Sequence, residues 1–276
     1  MFKRIAAYLT FLICVSTSAQ AELIGHWELS QDYQDSSGKG HHGTGFGGSS
    51  GTLPPFSGET GGVINGSANF NNSNYIALQQ SFQGAGSLPE MSASAWFRTG
   101  VVGENEMSSN WSLLDFDRSE FFNFYISASG KVGFSTTSET SLNDMYGLTS
   151  NLNDNEWHHV AVTYGEANGK SIYVDGKLDR TVDYHGALGH DVVRYGFIGD
   201  GSEATTFNGS RNSLYYEGDI ASVKLWDNEI TTERVAVDVL SPYANAQGIF
   251  TVSTPLSGFA MITALGLIGF LRRKKQ

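Results

Sequence analysis

The sequence contains almost no cysteine, which excludes a fold held together by internal disulfide bonds. Its 276 residues include a single cysteine, Cys14, and one cysteine cannot form a disulfide within the chain. Basic residues are also scarce, with 17 Lys and Arg against 28 Asp and Glu. The resulting net charge of −11 repels nucleic acids and anionic membranes, because both are bound through positive surface charge. Stability must therefore come from core packing, with or without a metal ion.

Sequence motifs of common enzymes are absent as well. The chain has no P-loop and no H-E-x-x-H. Glycoside hydrolases built on β-sandwiches need two carboxylates on one face, commonly as E-x-D-x-E, and this string is missing too. Asp115 and Asp117, followed by Glu120, are the candidate carboxylates of a glycoside hydrolase or polysaccharide lyase. The sequence as a whole predicts a protein that is not an enzyme.

What is present is a clear pattern of β-strands. Val160, Val162 and Tyr164 alternate with smaller residues, which indicates a strand with one buried face. Two further apolar runs flank Asp175-Gly176. An Asp-Gly pair between such runs predicts a hairpin with a type I′ turn, since both turn residues need positive φ. The segment 157–184 therefore predicts three consecutive antiparallel strands.

Other segments of the chain follow the same pattern. Frequent Gly, with 33 residues, and short strands predict one sandwich domain rather than two domains. Residues 40–66 are rich in Gly, Ser and Pro and predict a surface excursion, and 232–240 predict a short helix with Glu233 in its first turn. The predicted strands are 23–29, 74–79, 91–98, 110–116, 121–127, 131–136, 157–165, 170–175, 178–184, 194–199 and 215–226.

Both ends of the chain differ from the middle. Residues 1–21 have two basic residues, an apolar run and an A-x-A site, which together predict a secretory signal peptide. Residues 252–276 contain the apolar run 256–271 and then four basic residues, which predict a transmembrane or sorting tail. Removing the six basic residues of these ends leaves 11 against 28 acids, a net charge of −17. Residues 22–243 are the predicted domain, and 244–251 are a linker.

Five segments, taken in order, resemble the motifs of laminin-G-like (LamG, pentraxin-type) domains of the concanavalin A-like group. The most specific is W-H-H-V-A-V-T-Y followed by I-Y-V-D-G-K. The resemblance implies an all-β, two-sheet antiparallel jelly-roll sandwich with one short C-terminal helix. The segments that carry it are 25–44, 70–78, 91–98, 157–180 and 216–235.

The resemblance also implies a function. It predicts a non-catalytic extracellular module that binds carbohydrate or a surface glycoprotein, as in adhesion. A structural component of a matrix or surface layer, without a small ligand, is the alternative. The tail resembles PEP-CTERM sorting signals, although the Pro-Glu-Pro core is replaced by Val252-Ser-Thr-Pro255. This implies processing by an exosortase-type enzyme at a Gram-negative cell surface or in the extracellular matrix, and a retained membrane anchor is the alternative.

A structural Ca²⁺ ion is the cofactor that the resemblance implies. Related jelly rolls place the loop that begins at Asp35 beside the last strand, which would bring Asp35 and Asp219 to one ion. Calcium takes six to eight oxygen ligands, and a Gly-rich loop can supply carbonyls. Lys39 and the His41-His42 pair depart from the family pattern, and a nearby ammonium weakens a cation site. The alternative is that Asp35 accepts hydrogen bonds within its own turn.

A sugar-binding face is the other candidate site. Alternation within Phe121–Ile126 predicts that Phe121, Asn123 and Tyr125 share one face of a strand, opposite Phe122, Phe124 and Ile126. Aromatic rings and amide groups suit a sugar, so the face with Asn123 is the predicted ligand-binding face. Trp111, Tyr146 and Tyr215 are further candidates for lining a loop pocket.

The histidines do not predict a zinc site. His158 and His159 are adjacent on a predicted strand, so their side chains leave on opposite faces. His41 and His42 lie in a predicted loop, and His185 and His190 lack a Cys or a second His at a suitable spacing on one face.

Overall fold

The computed structural model describes residues 21–58, 64, 66–78, 89–103, 111–117, 121–138, 141–165, 168–184, 186, 188–189, 196–201 and 214–247. Almost all the regular structure in these residues is β, and one α-helix follows the last strand. The elements are β1 (Leu23–Trp27), β2 (Thr44–Phe46), β3 (Phe56–Ser57), β4 (Ser67–Asn71), β5 (Tyr75–Leu78), β6 (Glu90–Arg98), β7 (Trp111–Asp115), β8 (Phe122–Ile126), β9 (Val132–Ser138), β10 (Ser141–Tyr146), β11 (His158–Gly165), β12 (Gly169–Val174), β13 (Lys177–Val182), β14 (Gly196–Ile198), β15 (Glu217–Trp226) and α1 (Thr232–Gln247).

The strands form two antiparallel sheets. Sheet I has the order β13-β12-β11-β6-β15-β4-β3, with β1 also paired to β15. Sheet II has the order β10-β9-β8-β7-β14-β5-β2. Strands that are neighbours in a sheet are often distant in the sequence, as β6 and β15 are, so the fold is held by long-range pairing. This two-sheet sandwich confirms the predicted all-β jelly-roll class.

One large hydrophobic core lies between the sheets. Alternate residues of each strand point into it, among them Phe124 and Phe134 from sheet II and Val162 and Tyr164 from sheet I. Each of these side chains is fully buried. Burying one side chain of this kind contributes about 1.5–3 kcal/mol. The core therefore supplies the stability that a disulfide-free domain requires.

The predicted hairpin is confirmed, with strand ends within two residues of those predicted. β11, β12 and β13 are consecutive antiparallel neighbours at one edge of sheet I. Asp175 and Gly176 have φ values of 49° and 78°, the positive φ at both positions that a type I′ turn needs. The turn chemistry thus fixes where β12 ends and β13 begins.

Four strands were not predicted from the sequence. β2 and β3 are short strands inside the predicted excursion 40–66 and lie at the ends of their sheets. β4 and β10 are rich in Ser and Asn, residues with low intrinsic β-propensity or none. All four strands are held by pairing with neighbouring strands, so their own residues show little of the pattern that predicts a strand.

α1 covers part of the outer face of sheet I. Val235, Ala236 and Val239 are buried on the helix side that meets Trp96, Tyr173 and Trp226 of the sheet. The helix begins where predicted but runs seven residues beyond the predicted end, so it includes the first part of the predicted linker. In the described parts of the chain, no helix has both the length and the apolar character needed to cross a membrane. Residues 1–20 of the predicted signal peptide, 1–21, and the whole predicted tail, 252–276, lie outside the described residues.

Candidate functional site

A row of polar side chains crosses the outer face of sheet II, the face turned away from the core. Asp115, Asn123, Ser135 and Asp144 stand opposite one another on β7, β8, β9 and β10. The Asn123 amide donates hydrogen bonds to the Asp115 carboxylate and, at 2.8 Å, to Ser112 Oγ. Directly opposed residues share a face, so this polar row is fixed by strand register.

The polar row is buried at its centre and open at one end. Asp115 is 0 % exposed and Asn123 is 2 % exposed, whereas Asp144 is exposed. Asn123 Oδ1 has no hydrogen-bond partner in the part of the chain that the structure describes. Buried polar atoms nearly always have a partner, so this oxygen is an acceptor that a ligand hydroxyl or a water molecule would satisfy.

Tyr125 lies beside the polar row on the same face. Its ring occupies the space above Gly133 of β9, where a Cβ would collide with it. Its ring also contacts Tyr146 edge-on, with 5.9 Å between centroids. Burial raises the pKa of Tyr125 well above its ordinary value. The hydroxyl therefore stays protonated at physiological pH and can act as a hydrogen-bond donor.

Asp200 is a second buried carboxyl near the polar row. Its Oδ1 accepts a hydrogen bond of 2.8 Å from the Gly201 amide, and its Oδ2 has no partner among the described residues. Burial raises the pKa of Asp200 to about 7, and the charge of Asp115 acts in the same direction. Two carboxyl groups that repel each other in a buried place cannot both ionise easily. Asp200 is thus a group that changes charge near neutral pH.

An aromatic cluster lies at the other side of the same face. Phe46 stacks on Tyr75 with 5.1 Å between ring centroids, and Tyr75 stacks on Tyr215 at 6.1 Å. Phe197 meets Tyr75 edge-on at 6.2 Å and stands opposite Asp115 in the strand register. Phe46, Tyr75 and Tyr215 are half-buried, so part of each ring faces solvent. Burial, then Tyr215 and Asp200, raise the pKa of Tyr75.

The aromatic cluster and the polar row together form the candidate site. Phe197 links them, since it belongs to the cluster and faces Asp115. Accessible rings provide apolar surface for the flat faces of sugar rings, and the polar row provides acceptors and donors for hydroxyls. The arrangement has the chemistry of a carbohydrate-binding surface.

The three ligand-binding residues predicted from the sequence are not all on this face. Asn123 and Tyr125 lie on it, but Phe121 belongs to the core between the sheets. The reason is that β8 begins at Phe122, so strand alternation does not extend to Phe121. All three side chains are buried. Their role in binding a ligand stays a prediction.

Sequence reasoning missed most of the aromatic cluster. Of its members, only Tyr215 was a candidate. Tyr75 could have been found, because Ile76 and Leu78 are apolar partners that point into the core and leave Tyr75 outside. Phe46 sits in a Gly-rich stretch with no pattern of its own. Trp111, predicted beside Tyr215 as a pocket residue, packs against the core instead.

The predicted pair of catalytic carboxylates is also arranged differently. β7 ends at Asp115, and Asp117 lies beyond it with a φ of 70°. The Asp117 amide donates to Asp115 Oδ1 at 2.8 Å, so the two residues form a tight turn rather than one strand face. Glu120 lies outside the described residues. The carboxyl whose charge acts on Asp115 across the site is Asp200.

Both carboxylate oxygens of Asp35, a predicted calcium ligand, already accept hydrogen bonds from nearby residues. Its Oδ1 accepts from the amides of His26 at 2.9 Å and Ser37 at 2.8 Å. Its Oδ2 accepts from the His41 amide at 2.9 Å and from Ser37 Oγ at 2.9 Å. Burial acts to raise the pKa of Asp35, but these hydrogen bonds outweigh it and lower the pKa. Asp35 thus has the hydrogen bonds expected from the alternative to a calcium site, in which it accepts hydrogen bonds within its own turn.

The second predicted calcium ligand, Asp219, is paired with an arginine. Arg98 reaches Asp219 Oδ2 with Nε at 3.0 Å and with a terminal nitrogen at 2.7 Å, and Asn69 donates to Oδ1 at 2.9 Å. The guanidinium also lies over the Trp157 ring at 4.9 Å. In the described ranges, no group of three His, Cys, Asp or Glu side chains could hold a metal ion. These two carboxylates, as placed, do not fit one calcium ion.

We expect calcium to leave the melting temperature unchanged. Arg98 already neutralises Asp219, and four donors already fill Asp35, so neither carboxylate needs a cation. The measurement is thermal unfolding with millimolar calcium and again with excess chelator. Magnesium serves as the control for ionic strength. A rise of several degrees with calcium alone would support the calcium prediction and overturn this expectation.

The histidines occupy separate places, as the sequence predicts. His158 lies 3.3 Å from Asp175 and 3.2 Å from Asp154, whereas His159 is buried and lies 3.0 Å from Asp238. His41 and His42 contact the main chain of the β1 region and of Asp35. His185 and His190 lie outside the described residues. These positions serve packing and loop geometry.

Comparison with known proteins begins with a family match. A sequence model described as the concanavalin A-like lectin/glucanases superfamily matches residues 70–236, which is more than half of the chain. The neuronal pentraxin receptor of Homo sapiens is 32% identical over 90 residues. That match covers 32% of this chain and 18% of the receptor, so the chain spans less than a fifth of this relative's length.

Two solved structures show the same fold at low sequence identity. One is Domain 4 of AbnA, a GH43 extracellular arabinanase from Geobacillus stearothermophilus, in complex with arabinotriose, with a TM-score of 0.57 at 14% identity. This match covers 80% of the present chain and 98% of the arabinanase domain. The other is the binding domain of Botulinum neurotoxin DC in complex with rat synaptotagmin II, with a TM-score of 0.52 at 13% identity. This match covers 80% of the present chain and 52% of the neurotoxin chain.

Proposed function

Because the chain belongs to the concanavalin A-like lectin/glucanases superfamily, we propose that it is a non-catalytic module that binds a polysaccharide or a glycoprotein outside the cell. The binding surface is the outer face of sheet II. Its accessible part is the aromatic cluster, and its buried part is the polar row with Asn123.

The single observation that carries this proposal is the aromatic cluster on an outer sheet face. Phe46 and Tyr215 both stack on Tyr75, with 5.1 and 6.1 Å between ring centroids, and all three rings retain solvent exposure. Isolated apolar residues are common on protein surfaces, whereas grouped aromatic rings usually mark a contact surface. Two buried oxygens nearby, Asn123 Oδ1 and Asp200 Oδ2, have no partner among the described residues and are acceptors of the kind that sugar hydroxyl groups satisfy.

The compared proteins support the ligand class. The arabinanase domain, which this fold matches over almost its whole length, is described in complex with arabinotriose. The neurotoxin domain is described with a protein, synaptotagmin II. The negative charge of this chain disfavours acidic polymers by simple repulsion. A neutral polysaccharide, with arabino-oligosaccharides as the first probe, is the ligand that we propose.

Export and sorting form the second part of the proposal. The signal-like residues 1–21 and the PEP-CTERM-like tail 252–276 support secretion and processing by an exosortase-type enzyme at a Gram-negative surface or in the extracellular matrix. Retention of the tail as a membrane anchor is the competing outcome. Mass analysis of the protein isolated from its native host distinguishes a cleaved tail from a retained one.

Removing one accessible ring should weaken sugar binding about tenfold. Stacked rings are worth about 0.5–1.5 kcal/mol beyond their buried area, and about 1.4 kcal/mol corresponds to a factor of ten in affinity. We therefore expect Tyr75→Ala and Tyr215→Ala each to raise the dissociation constant for arabino-oligosaccharides by roughly that factor. Isothermal titration with the purified protein measures it.

A matched control separates binding from general destabilisation. Leu178 is 54% exposed on β13 of sheet I, far from the aromatic cluster in strand order, so Leu178→Ala should bind like the unmodified protein. Unchanged affinity of both tyrosine variants would reject this face as the site. A glycan panel with no binding, together with self-association, would favour the structural matrix component instead.

Hydrolysis is the second candidate function, and Asp200 is the observation that favours it. A glycoside hydrolase pairs an ionised carboxylate with an acid of raised pKa, and burial raises the pKa of Asp200 to about 7 near Asp115. Release of reducing ends from polysaccharide, abolished by Asp115→Asn, would establish this function. Binding without release keeps the module non-catalytic.

A further inference from the structure

Lys170 is a buried lysine that lies between the two sheets. It stands on β12 opposite Tyr164, whose side chain belongs to the core, and it is 0 % exposed. Its ammonium nitrogen passes from sheet I to sheet II, where it lies 2.7 Å from the Phe134 carbonyl of β9. Lysines are almost never fully buried unless they are paired. No binding or packing role described above requires this residue.

Burial favours the neutral amine of Lys170, although the two aromatic rings beside the nitrogen favour the charged form. The nitrogen lies 4.7 Å from the centre of the Phe134 ring and 5.8 Å from that of Tyr184. Burial lowers the pKa of Lys170 to about 7, although the charge of Asp144 opposes this effect. A neutral amine is a nucleophile, whereas an ammonium is not. A large fraction of Lys170 is therefore nucleophilic at neutral or slightly alkaline pH.

Asn143 on β10 presents its carboxamide to this amine. Lys170 Nζ lies 3.3 Å from Asn143 Oδ1 and 2.8 Å from the Asn143 carbonyl oxygen. Register explains the approach: Asn143 pairs with Thr136, which pairs with the core residue Phe122, so the Asn143 side chain points inward. The side-chain carbon of the amide is one bond from Oδ1 and is the carbon that the neutral amine would attack.

We propose that Lys170 and Asn143 form an isopeptide bond that joins sheet I to sheet II. The neutral Nζ attacks the side-chain carbonyl carbon of Asn143, and a new carbon–nitrogen bond forms. The bond from that carbon to Nδ2 breaks, and Nδ2 leaves as ammonia with a proton given up by Nζ. No oxidant, reductant or cofactor is needed, because one amide replaces another.

The bond would serve the role that a disulfide has in other exported domains. With only one cysteine in the sequence, no disulfide can form within the chain. A cross-link between residues 143 and 170 would tie β12 of sheet I to β10, the last strand of sheet II. Constraining the unfolded chain in this way stabilises the fold and slows unfolding.

Peptide mass analysis of the purified full-length protein tests the proposal. Trypsin cuts after Lys131 and, when its amine is free, after Lys170, so both reactive residues fall in one peptide. A second cut at Glu156 then separates Asn143 from Lys170 unless they are joined. We expect no tryptic cut at Lys170, and one linked product whose mass is that of the two peptides minus one ammonia.

Variants assign the bond to these two residues. Lys170→Met and Asn143→Ala should abolish the ammonia loss, whereas Lys177→Ala, which removes an exposed lysine of the same hairpin, should retain it. The measurement on the unmodified protein does not depend on how the variants fold. Tryptic cleavage at Lys170, with separate peptides of full mass after the cut at Glu156, would overturn the proposal.

Discussion

Asp238→Ala is expected to lower the free energy of unfolding by about 3–5 kcal/mol, because it would leave the buried ammonium of Lys224 without a counter-ion. Asp238 is 5% exposed and Lys224 is 7% exposed, and they form an ion pair beneath α1. Ser94 donates to Asp238 Oδ2 at 2.6 Å, and His159 lies 3.0 Å from the same oxygen.

The electrostatics of this pair explain the size of the effect. Burial acts to raise the pKa of Asp238, but Lys224 and then His159 outweigh burial and hold the pKa far below its ordinary value. The carboxylate is therefore charged throughout the physiological range. Removing it breaks contacts from β6, β11 and β15 at once, which weakens the attachment of α1 to sheet I.

Urea unfolding curves for the unmodified protein and three variants test this prediction. Arg234→Ala, an exposed change on the same helix, should stay within about 0.5 kcal/mol of the unmodified protein. The double variant Lys224→Met/Asp238→Leu should recover most of the loss, because it removes both charges. A loss below about 1 kcal/mol for Asp238→Ala would contradict the assigned ion pair.

Asp200→Asn is expected to stabilise the protein at pH 8, by an amount on the order of 4 kcal/mol. The ordinary pKa of 3.8 is raised to about 7 in the folded protein. The folded state therefore holds a proton that the unfolded state releases between these pH values. The contribution of Asp200 is fully present below about pH 4 and is lost as pH rises through 7.

Comparison of unfolding at two pH values checks the sign as well as the size. At pH 4 the variant should differ little from the unmodified protein, and its advantage should grow up to pH 8. Asp32→Asn changes an exposed carboxylate and should have no effect above about 0.5 kcal/mol at either pH. A variant that is less stable at pH 8 would show that the charged Asp200 is stabilised in the fold.

Local sequence patterns predicted the antiparallel strands, and the resemblance to laminin-G-like domains implied the two-sheet jelly-roll sandwich. The Asp175-Gly176 turn and the alternation of Val160, Val162 and Tyr164 depend on neighbouring residues alone, so they can be recognised in the sequence. β2 and β3 cannot be recognised in this way, because they are held by pairing with β5 and β4 rather than by the β-propensity of their own residues.

The candidate site was harder to predict because it depends on register between distant strands. Phe197 and Asp115 face each other only because β14 pairs with β7. Asp238 escaped prediction for a similar reason: the helix predicted over 232–240 gives no sign that an aspartate shares the side buried against sheet I. Its partner Lys224 reaches the outer face through the irregular register of β15 at Ser222, which has a φ of 47°.

The position of α1 determines how the molecule can present its ligand surface. α1 rests on the outer side of sheet I, and the aromatic cluster lies on the outer side of sheet II, so the sandwich thickness separates them. Any attachment made through the chain that leaves α1 at Gln247 would begin on the side opposite the aromatic cluster. A molecule attached in this way would present Tyr75 and Tyr215 on the side away from the attachment point, toward ligands in the surrounding medium.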